Sequence, residues 1–386
     1  MAGCPSGNGR ACPRGACPPR NSGKKGDFGN LPALLKDLSR CRRLGDNANI
    51  IKKEFPAMPF RPIPRAARLI RLLLPMLAAS CFSLPGLAAT APDCPPPPPS
   101  IPSAQAIEDG IANARDRGFL WRIEKGGRTS YLYGTVHAGK AEWMYPGPTL
   151  ARALKETDTI ALEMDMFDSD IQARIAKGMQ TTRRTPLPPA MEQRLRRQAE
   201  AACLPYESLS PYSPEIKVVT LSLMLARKAG LEPAYAVDAM LAGFGHQAQR
   251  RVVSLETPEL QMKALHMGSP RETESFVDSS LQTLESGQAI AILERLADAW
   301  ISADYQAMER YPEWCECMKT PVERKAMKRL LDERNPALAQ RIDALHRHGS
   351  QVFAAVGSMH LFGPAGLPTL MEKKGYKVER VVFTRP

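Results

Sequence analysis

Ser130-Tyr131-Leu132-Tyr133-Gly134-Thr135-Val136-His137 decides the fold, because it reads as a strand running straight into a Gly-x-x-His motif. Aromatic and β-branched residues suit a pleated, buried surface, and a glycine lets the chain leave the strand sharply. Upstream, Phe119-Leu120-Trp121-Arg122-Ile123-Glu124 is a second β-type run, and Lys125-Gly126-Gly127-Arg128 between the two is a hairpin signal. Downstream, Pro148 opens a helix predicted over about 148–157, with Leu150, Ala153 and Leu154 on one face. Thr159-Ile160-Ala161-Leu162 then reads as a short apolar strand closed by Glu163 and Asp165. Strand, helix and strand at this spacing predict a βαβ unit with parallel strands.

The C-terminal end repeats the design. Gln351-Val352-Phe353-Ala354-Ala355-Val356 is an apolar strand followed at once by Gly357-Ser358-Met359-His360. A helix predicted over about 365–374 leads through Gly375 into a last strand, Tyr376 to Phe383. Between the two ends, residues of about 170–330 carry Leu, Ala and Met at three- and four-residue spacings and predict a large helical middle. Two β-type runs interrupt it: Ala234 to Val237, ending at Asp238, and Arg251 to Leu255, ending at Glu256. The expected fold is α/β, a mixed sheet built from two βαβ-like halves with that helical region between them.

The N-terminal quarter has a different composition. Residues 1–57 are rich in Gly, Pro, Cys, Lys and Arg without a sustained apolar period. From Met58, four arginines precede the mostly apolar run Leu72 to Leu87, small residues follow, and Pro95 to Pro99 form a proline tract. A basic region, a short apolar region and small residues make a secretory signal peptide, here 58–91, and Pro75 and Pro85 argue against a spanning helix. Export signals act at the N-terminus, so translation is expected to begin at Met58, with 1–57 a mis-assigned or disordered upstream extension. A Pro-rich linker (92–106) and one domain (107–386) complete the organisation. Cys81 after Ala78-Ala79-Ser80 offers a lipidation site, but the apolar run continues past it, which favours a soluble periplasmic or secreted product.

This division changes the meaning of the charge. Of the net charge of +12, residues 1–91 carry +11, so the positive charge belongs to the leader and not to a binding face. Nucleic acid is excluded as an expected partner. Membrane contact is expected only through the export signal or lipidation at Cys81. Cys94, Cys203, Cys315 and Cys317 remain in the exported part, an even number that allows one or two disulfides in any of three full pairings.

Ligands of parallel α/β sheets bind beyond the carboxyl ends of the strands. His137 and His360 both stand there, and Glu163, Asp238 and Glu256 end other predicted strands. Two imidazoles with carboxylates form a set suited to Zn²⁺, Mn²⁺ or Co²⁺, with a spare carboxylate as general base. Asp238, directly before a helical Ala-Met-Leu run, is read as a first-turn acid and left out of the site. His246, His266, His346 and His348 lack the motif and are expected at the surface.

The chain resembles the TraB/GumN family, which includes the Tiki proteins. The likeness rests on Phe119 to Glu124 leading to His137, on Ala161-Leu162-Glu163-Met164-Asp165, and on Ser254-Leu255-Glu256-Thr257 with Gln261. It continues through Glu333-Arg334-Asn335, Val356 to Leu367 around His360, and Gly375-Tyr376-Lys377-Val378. The resemblance covers about 115–386. It implies a fold similar to erythromycin esterase-like and ChaN-like proteins, and a divalent-metal-dependent protease site. By that likeness His137 and His360 are metal ligands, Glu163 is a ligand or base, and Arg334 is a catalytic candidate beside Glu256 and Asn335. The expected function is an exported metal-dependent hydrolase, foremost a peptidase acting on peptides or proteins in the periplasm. The alternatives are a non-catalytic metal- or peptide-binding regulator and a metal-independent, esterase-like hydrolase with a histidine base.

Overall fold

The computed structural model describes residues 94–95, 102–180 and 186–384. The upstream extension, the signal peptide, Cys81 and most of the proline tract lie outside them. A helix capped by the Ser103 hydroxyl starts at Ala104. Among the described residues no helix is long and apolar enough to cross a membrane.

Six strands form one sheet: β1 (Phe119–Lys125), β2 (Arg128–Thr135), β3 (Thr159–Leu162), β4 (Arg251–Ser254), β5 (Val352–Gly357) and β6 (Lys377–Arg380), in the order β4-β3-β5-β2-β1-β6. The β1–β2 hairpin closes with Lys125 opposite Arg128, and Gly126 and Gly127 both take positive φ (59° and 73°), as a two-residue turn of matching twist requires. β2, β3, β4 and β5 are parallel; β1 runs against β2, and β6 against β1. The sheet is therefore mixed, with β1 its one reversed strand.

Burial explains the order. Ile160, Ala161, Leu162 and Val352 through Val356 are buried on both faces, which suits strands at the centre of a parallel sheet. The outer strands β4 and β6 are mostly half-buried or exposed. The two βαβ units interleave: β5 lies between β2 and β3, so the second Gly-x-x-His segment is inserted into the first unit. The helical middle packs a second core around Leu195, Leu221, Val277 and Leu281. Trp300 in the helix Gln288–Ser302 donates its indole N–H to the Gly134 carbonyl at 2.8 Å, tying that region to β2.

Two expectations change. Ala234 to Val237 is not a strand: Pro233–Tyr235 form a 3-10 turn and Val237–Gln247 a helix, because Pro233 favours a turn and the following Asp-Ala-Met-Leu run favours helix. His346 is buried rather than superficial. Its Nε2–H donates to the Lys125 carbonyl (2.9 Å) and its Nδ1 accepts from the Ser130 hydroxyl (2.8 Å), which in turn accepts the Val352 amide. His246 is exposed, as expected, and bonds Asp165 at 2.7 Å. Among the disulfide pairings left open, the structure has Cys94–Cys203 and Cys315–Cys317.

Candidate active site at the carboxyl ends of the strands

Four adjacent parallel strands deliver the polar residues. His137 follows β2, His360 follows β5, Glu163 follows β3 and Glu256 follows β4 by one residue more. The Glu256 amide donates to the Glu163 carbonyl at 3.1 Å, which sets the two carboxylates side by side.

The motif glycines act by close approach. Gly134 lies inside β2 without positive φ, so it does not serve as the sharp exit expected of it. A Cβ there would stand 2.8 Å from Ser358 Oγ and 3.0 Å from Leu361, both in the second motif's turn. Ser358 also donates to the Thr135 carbonyl at 2.8 Å. Conversely, a Cβ on Gly357 would stand 3.2 Å from Glu163 Oε1, 3.5 Å from His137 Nε2 and 3.8 Å from His360 Cδ2. Each motif's glycine makes room for the other motif, and the space over Gly357 is where two imidazoles and one carboxylate converge.

Each ring is held by its Nδ1. His360 Nδ1 lies 2.6 Å from Asn335 Oδ1, and Asn335 donates its amide to the Ala365 carbonyl at 2.8 Å. That donation fixes the amide orientation, so His360 Nδ1 carries the proton and its Nε2 lone pair faces Glu163 Oε1 at 3.8 Å. His137 Nδ1 lies 3.1 Å from Asp238 Oδ2. Asp238, set aside as a helix first-turn acid, is thus also a partner of His137; the two roles coexist, and its other oxygen is buried without a hydrogen bond.

Arg334 neutralises the carboxylates. Its Nη2 donates to Glu163 Oε2 at 2.6 Å and also contacts Glu256 Oε1, and its Nε donates to Glu256 Oε2 at 3.0 Å. Gln261 spans both acids at 3.3 and 3.4 Å. Glu163 Oε1 also accepts the Gly357 amide at 2.7 Å. Burial would raise Glu163, but His360, Arg334 and His137 outweigh it and hold this carboxyl far below the usual range. For Glu256, burial prevails over Arg334 and its pKa is raised. Burial lowers His360 to about 4, whereas the Asp238 carboxylate pushes His137 up to about 9. One site therefore holds an acid kept ionised beside an acid kept protonated to higher pH, the separation that acid–base work needs.

The expected site residues His137, His360, Glu163, Glu256, Arg334 and Asn335 come together here. Asp238 and Gln261 join them. As they stand, the described residues contain no group of three or more His, Cys, Asp or Glu arranged to hold a metal ion. Glu163 has its oxygens turned to Arg334, Gln261 and the Gly357 amide instead.

Fold and site together define an α/β protein with a paired imidazole–carboxylate centre at the carboxyl ends of parallel strands. The chain belongs to the TraB/PrgY/gumN family, which matches residues 119–380. It is similar to the uncharacterized protein YbaP of Shigella flexneri, 24% identical over 64% of this chain and 89% of the relative. It is similar also to YbaP of Escherichia coli K12, 23% identical with the same coverage. No solved structure gives a significant match.

Proposed function

We propose that the protein is an exported, divalent-metal-dependent hydrolase acting on peptides or proteins. The observation that carries this reading is the pair of rings tied at Nδ1, to Asp238 and to Asn335, with Nε2 turned toward Glu163 over Gly357. Histidine ligands are commonly oriented this way, by a carboxylate or carbonyl on the other ring nitrogen. His137, His360 and Glu163 would hold the ion, and their nitrogen and oxygen donors suit Mn²⁺, Zn²⁺ or Co²⁺. A bound ion supplies Lewis acidity and brings water ionisation near neutral pH.

The chain's own groups do the rest. Glu256, raised by burial, accepts a proton from attacking water and returns it to the leaving group. Arg334 stays charged between Glu163 and Glu256 and fixes both carboxylates. Asn335 keeps the His360 tautomer, and Asp238 keeps that of His137. Two disulfides support an oxidising compartment, in line with the signal-like segment of residues 58–91.

A second reading has its own observation. The Asp238–His137 pair, with the ring 58% exposed, could act as a general base without metal at alkaline pH, where His137 gives up its proton. Elemental analysis after loading with Mn²⁺, Zn²⁺ or Co²⁺, with peptide-library turnover, tests both. Stoichiometric metal and turnover lost in His137→Ala and His360→Ala support the first. A metal-free wild type that turns over substrate, with loss only in His137→Ala, supports the second. A metal-loaded protein without turnover is a binding protein.

A further inference from the structure

Behind Arg334 lies a cavity of about 230 Å³. Its walls are Leu255, Leu260, Ala264, Ala337 and Leu338, and its polar edge is Glu256, Arg334, Lys263, Arg329 and Glu333. Arg334 and Glu256 thus belong both to the candidate active site and to this cavity. Leu260, one of its apolar walls, is 51% exposed and so open to an incoming group.

Arg329 is the informative residue. Among the described residues its Nε is buried with no hydrogen-bond partner, and its Nη2 donates to the Met267 sulfur, at 3.0 Å. A sulfur is a weak acceptor for a guanidinium. Nearby Glu272 is taken by Lys325 and the Gly268 amide. Glu256 is neutralised by Arg334, and Glu333 is exposed. Arg329 feels Glu272 through space but holds no carboxylate by a hydrogen bond among the described residues, and such a half-buried guanidinium beside an apolar wall calls for an anionic group joined to an apolar one.

We infer that this cavity is the substrate subsite of the candidate active site, taking a residue that carries a carboxylate onto Arg329 and an apolar group against Leu255, Leu260 and Leu338. A planar carboxylate matches the guanidinium fork, and the apolar walls exclude water from the contact. Lys263 at the rim adds to the attraction. The carboxylate is either the free C-terminus of a peptide or an acidic side chain. The inference rests on the hydrolase reading only for what happens to the bound residue, not for the binding.

Ligand titration by NMR on the purified, metal-free protein tests it without requiring turnover. N-acetyl-leucine should bind about tenfold or more tightly than N-acetyl-leucinamide, because the amide lacks the charge that Arg329 pairs. Arg329→Gln, checked for folding by circular dichroism, should erase that difference. The acid–amide comparison in the wild type needs no variant and stands if Arg329→Gln fails to fold. The 1-amide of N-acetylglutamate carries only a side-chain carboxylate, so whichever acid binds better through Arg329 names the source. Equal binding of acid and amide, no binding of either acid, or a folded Arg329→Gln protein that still discriminates would overturn the inference. His137→Ala separates the two readings: it should abolish hydrolysis and leave this binding intact.

Discussion

Glu163 Oε1 accepts the Gly357 amide at 2.7 Å, joining the end of β3 to the end of β5 where both histidines converge. The φ of Gly357 is −51°, so any residue can adopt its backbone; what glycine supplies is empty space. Gly357→Ala should keep stability within about 1 kcal/mol. Its methyl would stand 3.2 Å from Glu163 Oε1 and 3.5 Å from His137 Nε2, in the space the donors face. Metal affinity, measured by calorimetry, should fall about tenfold or more. Unchanged affinity in a folded variant would remove this space from the site.

Gly134→Ala should do the opposite. The added methyl meets Ser358 Oγ at 2.8 Å and Ser358 Cα at 3.2 Å, and the second motif's turn must move to admit it. Overpacking of this kind costs about 1–3 kcal/mol. Urea denaturation should show that loss even in protein stripped of metal.

Much of this arrangement was legible in the chain, and the remainder failed for identifiable reasons. The strands carrying His137, Glu163, Glu256 and His360 announce themselves because central parallel strands are continuous apolar runs. Ala234 to Val237 mimics such a run in four residues, too few for periodicity to separate strand from helix. The helix role of Asp238 is readable from its neighbours, yet local sequence cannot show that the same carboxylate reaches a ring 101 residues away. His346 shows the same limit: the Ser130 and Lys125 partners that make it a core residue are remote in sequence. The interleaving of β5 between β2 and β3 is likewise invisible, since βαβ units constrain handedness but not which strand is inserted.

Arg334 lies between two buried carboxylates, with its side chain 11% exposed. Arg334→Met would leave Glu163 and Glu256 side by side without the guanidinium that bonds both, and should cost about 3–5 kcal/mol in chemical denaturation. Adding Glu256→Gln to that variant removes one of the stranded charges and should recover part of the loss. If the double variant is no more stable than the single one, the carboxylates do not repel through this contact.

Asp238 sets the protonation of His137. In metal-free protein followed by NMR, His137 should titrate near 9, and Asp238→Asn should bring it down toward its ordinary value of 6.5. The His137 pKa is raised in the folded state, so the stabilisation from this pair is fully present below about 6.5 and is lost as pH climbs through about 9. The ring is 58% exposed, so solvent screens the attraction and the effect on overall stability should be small beside that on titration. Metal binding needs a neutral imidazole, and loading at neutral pH should therefore release a proton from the wild type. Calorimetry in buffers of different ionisation enthalpy should detect that proton, and should detect less of it in Asp238→Asn. Equal release from both proteins would mean that Asp238 orients the ring without governing its charge.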